Sequence, residues 1–158
     1  MQIFYSDQPL PEVYNNSIFL AGPTPRKDSV QSWRIEAVEL LNELNFDGQV
    51  FIPERKDWTG FDYNDQIVWE QNALNNCSSI VFWVPRQFPD MPAFTTNVEF
   101  GLYIKYKGSI YGRPNDAVKC EYLDWIYKTY RKLEPSTTLI NTLKKAIEII
   151  PKTNTWII

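Results

Sequence analysis

The sequence predicts a single α/β domain over residues 1–158, in which helices cover both faces of a central, mostly parallel sheet of about five strands. Short, wholly apolar segments alternate with segments of helical periodicity along the chain, which is the pattern of a parallel sheet buried on both faces. Pro or Gly follows each of the clearest strand segments. The length of 158 residues is that of one domain, and 44% hydrophobic with 22% charged residues is an ordinary globular composition.

Apolar segments that stop at a strand-breaking residue are predicted as buried strands. They are Ser17–Ala21 before Gly22, Val50–Ile52 before Pro53, Ser79–Val84 before Pro85 and Ser109–Tyr111 before Gly112. Met1–Ser6 and Thr155–Ile158 are candidates for further strands near the two ends of the chain.

Helical periodicity predicts five helices among these strands. The first has Asp28 or Ser29 as its N-cap, and the last is capped by Ser136 and carries an apolar stripe to Ile150. The others are predicted over Phe61–Cys77, Thr96–Lys107 and Ala117–Leu133. This alternation is typical of a doubly wound flavodoxin-like or Rossmann-like fold, which binds ligands beyond the carboxyl ends of its strands. The site is therefore expected in the loops Gly22–Asp28, Pro53–Asp62, Pro85–Asn97 and Gly112–Asp116.

Composition excludes several kinds of chemistry. The formal net charge is −3, so there is no basic surplus for a nucleic acid polymer, whereas a small nucleotide needs only one or two arginines. The absence of histidine excludes histidine triads, metal ligands and proton shuttles. The two cysteines, Cys77 and Cys120, are expected to be small buried apolar residues. We therefore expect neither a metal nor a cofactor, and acid–base chemistry carried by carboxylates, Tyr, Lys or Cys.

Neither a membrane span nor a leader is expected from the sequence. No run of 18 apolar residues occurs, and Met1–Leu10 lacks the basic and apolar regions of a signal peptide. We therefore expect a cytoplasmic protein.

Aromatic residues are abundant, with six Trp, nine Tyr and nine Phe. This number exceeds what one small core needs, and rings are enriched at interfaces, so a homodimer or larger assembly is expected. The apolar segment Trp156–Ile158 is a candidate contact. Rings near the expected ligand edge, which either stack on a planar ligand or fill the core, are Trp69, Trp83, Phe88 and Phe94.

Glu99 is the first candidate catalytic residue. It lies near the start of the third predicted helix, beyond the loop that follows Ser79–Val84, the strongest strand. Thr96-x-x-Glu99 also has the spacing of a capping box, in which Glu99 would bind the Thr96 amide. Both interpretations place a carboxylate at the positive end of a helix, which keeps it ionised, as a nucleophile requires.

Glu70 is the second candidate, because it shares a helical face with the apolar residues Leu74 and Cys77. A buried carboxylate must either pair with a cation or point into a site. Gln66 lies one turn earlier on the same side, and Trp69 either borders the same edge or belongs to the core.

Loop residues add candidates for ligand contacts. Gly22 allows backbone to approach a ligand, and Thr24 and Arg26 could contact a hydroxyl or a phosphate. The loop resembles neither a Walker loop nor a G-x-G-x-x-G motif. Arg113, after the fourth strand, either faces an anion or a second subunit or lies at the surface in a turn.

These segments, taken in order, resemble the nucleoside 2-deoxyribosyltransferase-like family. The resemblance runs from Ile18 to about Asp124, and its most specific part combines the strand Ile80–Val84 with the segment Thr95–Gly101, which contains Asn97-Val98-Glu99-Phe100-Gly101. The other matching pieces are Ile18–Arg26, Ser32-Trp33-Arg34, Val50–Glu54, Gln66 with Trp69-Glu70, Gly112-Arg113-Pro114 and Tyr122-Leu123-Asp124.

The resemblance implies a small doubly wound domain that cleaves the N-glycosidic bond of nucleosides or deoxynucleotides. It implies that Glu99 is the nucleophile and that Glu70, on the preceding helix, is the acid that handles the base. Many members are dimers or larger, with sites completed across subunits. The residues then expected to bind substrate are Gly22, Thr24, Arg26, Gln66, Trp69, Thr95, Thr96 and Asn97.

Two departures from the family pattern bear on how the base is bound. The family usually has a Tyr on the first strand near the nucleophile, where this chain offers Ile18 and Phe19. It usually has an Asp shortly before the nucleophile, where this chain has Ala93 and Phe94. Transfer to a second base and hydrolysis therefore both stay open.

Two alternatives remain on the same fold. One is a nucleoside 5′-monophosphate N-hydrolase, in which Arg26 with Thr95 and Thr96 would hold the phosphate. The other is a non-catalytic nucleotide-binding sensor, because a fold does not determine a function.

Overall fold

A computed structural model of the chain describes residues 1–106 and 108–150. Its strands are β1 (Gln2–Tyr5), β2 (Ser17–Ala21), β3 (Gln49–Ile52), β4 (Ser79–Trp83) and β5 (Ser109–Gly112). They form one sheet in the order β1-β3-β2-β4-β5, and every pairing in it is parallel. The predicted doubly wound α/β fold is confirmed.

The helices form one layer on each face of the sheet. They are α1 (Trp33–Glu43), α2 (Tyr63–Asn76), α3 (Phe94–Tyr103), α4 (Glu121–Arg131) and α5 (Leu139–Ile149). Alternate residues of β2 belong to two separate cores: Phe19 and Ala21 pack with α2, α3 and α4, whereas Ile18 and Leu20 pack with α1 and α5.

Several helices begin later than the sequence predicted. Ser32, not Asp28 or Ser29, is the N-cap of α1, because its side chain accepts a hydrogen bond from the Arg34 amide. Thr138, not Ser136, caps α5 in the same way. Helix α2 starts at Tyr63 after the N-cap Asp62, and α4 starts at Glu121 rather than Ala117. As a result, residues 22–31 stay irregular and border the ligand edge.

Both cysteines are free and buried, as predicted. Burial raises the pKa of the Cys77 thiol to about 12, so this thiol stays protonated and unreactive. Within the described residues no helix has the length and apolar character needed to span a bilayer. The strand predicted over Thr155–Ile158 and the contact predicted at Trp156–Ile158 lie outside the described residues.

The order of the strands determines where a ligand is held. β2 lies at the centre of the sheet with β3 on one side and β4 on the other. Because all of these strands are parallel, the loops that follow them meet at the same edge. A space above the end of β2 is therefore walled by the β3–α2 loop on one side and by the β4–α3 loop on the other.

Candidate active site

A cleft of about 480 Å³ opens at this edge of the sheet, which is within the usual size range of small-molecule sites. Its lining comes from residues 22–34, 53–63 and 92–96, joined by side chains further along α2 and α3. Most of the predicted site residues line it: Gly22, Thr24, Arg26, Gln66, Glu70, Thr95, Thr96 and Glu99.

Trp69 and Asn97 are the predicted site residues that do not line the cleft. Trp69 lies in the core against the rings of Phe19 and Phe51, and its indole nitrogen donates to the Gln8 carbonyl oxygen at 2.8 Å. Asn97 is exposed on another side of α3, where its amide oxygen accepts from Arg86. Helical periodicity explains both positions, because Trp69 precedes Glu70 by one residue and Asn97 precedes Glu99 by two.

The other aromatic residues considered for stacking on a ligand also include some that line the cleft and some that do not. Trp83 is buried in the core on the α1 and α5 side of the sheet, whereas Phe88 is exposed outside the cleft. Phe94 lines the cleft, and the Arg26 guanidinium lies 5.4 Å from its ring centroid.

At position 22, on the floor of the cleft, only glycine fits. A Cβ atom at this position would lie 2.1 Å from the Trp83 carbonyl oxygen, where no side chain fits. The close approach of these two backbones holds the start of the β2–α1 loop close to the end of β4.

The capping box between Thr96 and Glu99 is not formed. Helix α3 starts at Phe94, after Ala93 in the left-handed conformation with φ 61°, and no side chain caps it. Thr96 therefore lies in the first turn and Glu99 in the second. Because the helix begins earlier than predicted, the Glu99 carboxyl has no capping role and lies in the cleft instead.

Glu99 is the most deeply buried carboxyl in the cleft, with 7% of its surface exposed. Burial, and to a smaller extent the negative charge of Glu70, raise its pKa from the usual 4.5 to about 7 against the opposing charge of the Arg34 guanidinium. An inward-facing carboxyl with this environment is typical of a functional group.

Glu70 lies in the same cleft and is oriented by Gln66. The Gln66 side-chain nitrogen donates to Glu70 Oε1 at 2.6 Å and to the Pro53 carbonyl oxygen at 3.3 Å. Burial raises the pKa of Glu70, while the Gln66 hydrogen bond and the Arg34 charge lower it. Both amide hydrogens of Gln66 therefore have acceptors in the protein, whereas its side-chain oxygen is buried without a hydrogen-bond partner among the described residues.

Arg34 lines the cleft as well, although no role was predicted for it from the sequence. It is 1% exposed, and its guanidinium donates to Glu54 Oε1 at 2.7 Å. It also donates to the Gly22 carbonyl oxygen at 2.7 Å, the Leu20 carbonyl oxygen at 3.0 Å and Thr24 Oγ1 at 3.2 Å. Two segments of the sequence could have indicated this ion pair. Both Ser32-Trp33-Arg34 and Val50–Glu54 belong to the family resemblance, and they end in residues of opposite charge.

Aromatic residues of the β3–α2 loop and of the first position of α2 were also missed. Trp58, Phe61 and Tyr63 all line the cleft and are exposed. Arg113, in contrast, is not part of the cleft, because its guanidinium forms a salt bridge with Asp124 at 2.7 Å. In residues 1–106 and 108–150 no cluster of three or more side chains suits a metal ion.

Comparison with protein families gives one match, to the model described as nucleoside 2-deoxyribosyltransferase like, over residues 15–117. A comparison with curated proteins gives no match. The matched segment extends from just before β2 to beyond β5, so it contains the whole cleft with Glu70, Glu99 and Arg34. The chain, with its five-stranded parallel sheet and its carboxylate-containing cleft, belongs to the nucleoside 2-deoxyribosyltransferase-like family.

Proposed function

We propose that this protein is an enzyme that breaks the N-glycosidic bond of free nucleosides or deoxynucleotides, with Glu99 as nucleophile. Family membership supports a nucleoside-handling function. The net charge of −3 favours a small substrate over a nucleic acid polymer.

The observation that carries the proposal is the pair of carboxyls, Glu70 and Glu99, in one cleft beside the buried Arg34. Each carboxyl has a raised pKa, and the charge on Glu70 raises that of Glu99. Because the charge of Glu70 disfavours ionisation of Glu99, the two carboxyls share one proton, and the reactive form is the one in which Glu99 is the carboxylate and Glu70 the acid. One carboxylate and one carboxylic acid are the groups that a nucleophilic displacement with proton donation needs.

In the first step a Glu99 carboxylate oxygen forms a bond to the anomeric carbon of the sugar. The C–N bond breaks, its electron pair goes to the base, and the proton of Glu70 neutralises the base. In the second step water or another base attacks the same carbon, the ester bond to Glu99 breaks, and the attacking group returns a proton to Glu70. Two displacements at one carbon give net retention of configuration.

A nucleoside 5′-monophosphate is the second candidate substrate, because Arg26 offers a cation for its phosphate. Its guanidinium lies over the Phe94 ring and forms no salt bridge within the described part of the chain. Thr95 and Thr96, the two residues after Phe94, also line the cleft.

The experiment is incubation with a panel of nucleosides and 5′-monophosphates, followed by measurement of free base with and without a second base. Release without an added base indicates hydrolysis, and formation of a new nucleoside indicates transfer. A slow 2-fluoro-sugar substrate should leave a mass adduct on Glu99, and Glu99→Gln should leave none. An adduct on another residue, or full turnover by Glu99→Gln, would contradict the proposed nucleophile. Binding of a nucleotide with no turnover of any panel member would favour the sensor.

A further inference from the structure

We propose that residues 25–31 form a hinged flap at the rim of the cleft and that Asp90 is the positioning residue that holds this flap closed. The flap belongs to the β2–α1 loop, and Asp90 lies in the β4–α3 loop. Most residues of the flap line the cleft: Pro25, Arg26, Lys27, Asp28 and Val30. Its role in substrate exchange rests on the proposed function, whereas the flap itself does not.

The two ends of the flap are fixed by the buried ion pair of Arg34 and Glu54. Just before the flap, the Arg34 guanidinium donates to the Gly22 carbonyl oxygen at 2.7 Å and to Thr24 Oγ1 at 3.2 Å. Just after it, the Ser32 hydroxyl donates to Glu54 Oε1 at 2.6 Å. Both ends are therefore held on the same pair of side chains, and movement is confined to the residues between them.

The middle of the flap is attached at one place. In residues 1–106 and 108–150, each hydrogen bond, ion pair or ring contact from the flap to another element ends on Asp90 or Phe94. The Arg26 amide donates to the Asp90 carbonyl oxygen at 3.0 Å, and Lys27 Nζ lies 2.8 Å from Asp90 Oδ1. The Arg26 guanidinium lies 5.4 Å from the Phe94 ring centroid. Asp90 thus holds the flap through both its main chain and its side chain.

The loop that carries Asp90 is a firm support. Gln87 and Met91 exchange two backbone hydrogen bonds, of 3.2 and 2.8 Å, which close this loop on itself. Arg86, which is 4% exposed, donates from its guanidinium to the Asn97 side chain on α3. The support is therefore joined to α3, and the flap is the part that moves against it.

The contacts that close the flap are individually weak. The side chains of Lys27 and Asp90 are 59% and 29% exposed, so water and salt screen their attraction. Neither core contains a residue of the flap, so the flap opens without disturbing them. An open flap widens the cleft for a ligand to enter or leave, and a closed flap limits the access of water.

The first test measures hydrogen exchange of the Arg26 amide by NMR. Asp90→Asn and Lys27→Gln should each speed this exchange by up to about fivefold, the range for loss of an exposed ion pair. Raising NaCl from about 0.01 M to about 1 M should speed it in the wild type but not in these variants. The charge-swapped pair, Lys27→Asp with Asp90→Lys, should restore slow exchange.

Lys128→Gln is the matched control. It removes a second exposed ion pair, in which Lys128 lies 2.7 Å from Glu134 outside the cleft. This variant should leave exchange at Arg26 as in the wild type. Wild-type exchange in both Asp90→Asn and Lys27→Gln would overturn the proposal. It would also be overturned by a charge-swapped pair that exchanges as fast as the single variants.

Kinetics connect the flap to the proposed function. For a panel nucleoside that is cleaved, Asp90→Asn should raise KM by up to about fivefold, because a smaller fraction of the protein has the flap closed. Base release in a single turnover should stay within about twofold, since neither Glu70 nor Glu99 is changed. A slower single turnover with an unchanged KM would contradict the proposal.

The two readouts separate this inference from the proposed function. If exchange at Arg26 responds as expected while no panel member is cleaved, the proposed function fails and the flap stands. If nucleosides are cleaved and KM stays constant in variants with fast exchange, the flap does not close on substrate and the inference is wrong.

Discussion

The Arg34 guanidinium lies 2.7 Å from the Glu54 carboxylate, and this ion pair forms the floor of the cleft. The Arg34 side chain is 1% exposed and that of Glu54 is 20% exposed. The charge of Arg34 also acts on Glu70 and Glu99, whose pKa values it lowers. One buried cation therefore serves three carboxyl groups from α2, α3 and the loop after β3.

We expect Arg34→Met and Glu54→Gln to move the pH dependence of turnover in opposite directions. We expect kcat/KM to fall at alkaline pH, where Glu70 has lost its proton. Removing the cation raises the pKa values of Glu70 and Glu99, so this fall should move to higher pH. Removing Glu54 leaves the cation uncompensated, so the fall should move to lower pH. The measurement is the pH profile of kcat/KM, with Arg34→Lys expected to restore most of the wild-type profile.

Both substitutions should also destabilise the fold, because breaking a buried ion pair costs about 3–5 kcal/mol. Urea denaturation checks this loss. Equal stability losses with pH profiles that move in the same direction would show that the pair acts only through the fold. If Arg34→Met does not fold, the downward shift in Glu54→Gln tests the electrostatic role by itself.

We expect Glu99→Gln to be more stable than the wild type at pH 8 and equally stable near pH 4. The native state keeps a proton on the pair of Glu99 and Glu70 up to pH about 7, whereas the unfolded chain releases it near the usual value of 4.5. Folding takes up a proton between these values, so wild-type stability falls as pH rises through this window. The gain at pH 8 is on the order of 3 kcal/mol.

Denaturation with urea at pH 4, 6 and 8 measures this difference. Glu121→Gln, at an exposed position on α4, is the control and should change stability little at any pH. A Glu99→Gln variant with the wild-type free energy of unfolding at pH 8 would mean that the Glu99 carboxyl is not held in a desolvated place.

We expect kcat/KM of the wild type to fall above pH about 7. Above this pH both carboxyls are ionised, and Glu70 has no proton for the departing base. Glu70→Gln should remove the alkaline fall, because the carboxyl that remains, Glu99, reacts in its ionised form. It should also slow substrates with poor leaving bases by roughly 10²–10⁴ and spare those with good ones.

The comparison needs two substrates that share a sugar and differ in the basicity of the leaving base. Equal losses on both would assign Glu70 a positioning role instead. A wild-type rate that stays level above pH 8 would mean that the base departs without a proton from this pair.

We expect a homodimer or larger assembly, with α3 as a contact surface. Phe94, Val98 and Leu102 lie at positions i, i+4 and i+8 of α3 and are each about 60% exposed, which gives the helix an apolar stripe beside the cleft. Val98→Lys and Leu102→Lys should each weaken assembly, as measured by light scattering at micromolar concentration. Leu133→Lys, at an exposed apolar position after α4, should leave the size unchanged. A wild-type monomer at this concentration would refute the expectation.

Local patterns were sufficient for the order of the elements. Apolar runs such as Ser79–Trp83 are strands because every residue in them is buried on one or the other face of the sheet. Proline and glycine after these runs marked the ligand edge, and Glu70, Glu99 and Gly22 were found there because the carboxyl ends of parallel strands meet at one edge.

The first residues of the helices were harder to predict from the sequence. Asp28, Ser29 and Ser32 are all good N-cap residues, and local propensity does not distinguish them. Ser32 is the N-cap because its hydroxyl also donates to Glu54 at 2.6 Å and the next turn must bring Arg34 over the end of β2. These partners lie at distant positions in the chain.

The sequence by itself determined the fold class and the identity of the two carboxyls, since both follow from short-range periodicity and from the position of strand ends. Only the tertiary structure decided which neighbouring side chains share the cleft with them. Trp69 and Glu70 are adjacent in the sequence, yet one packs against Phe51 and the other lines the cleft, because a helix turns successive side chains by about 100°. Arg34 and Glu54 are twenty residues apart and meet only because β2 and β3 are neighbours in the sheet.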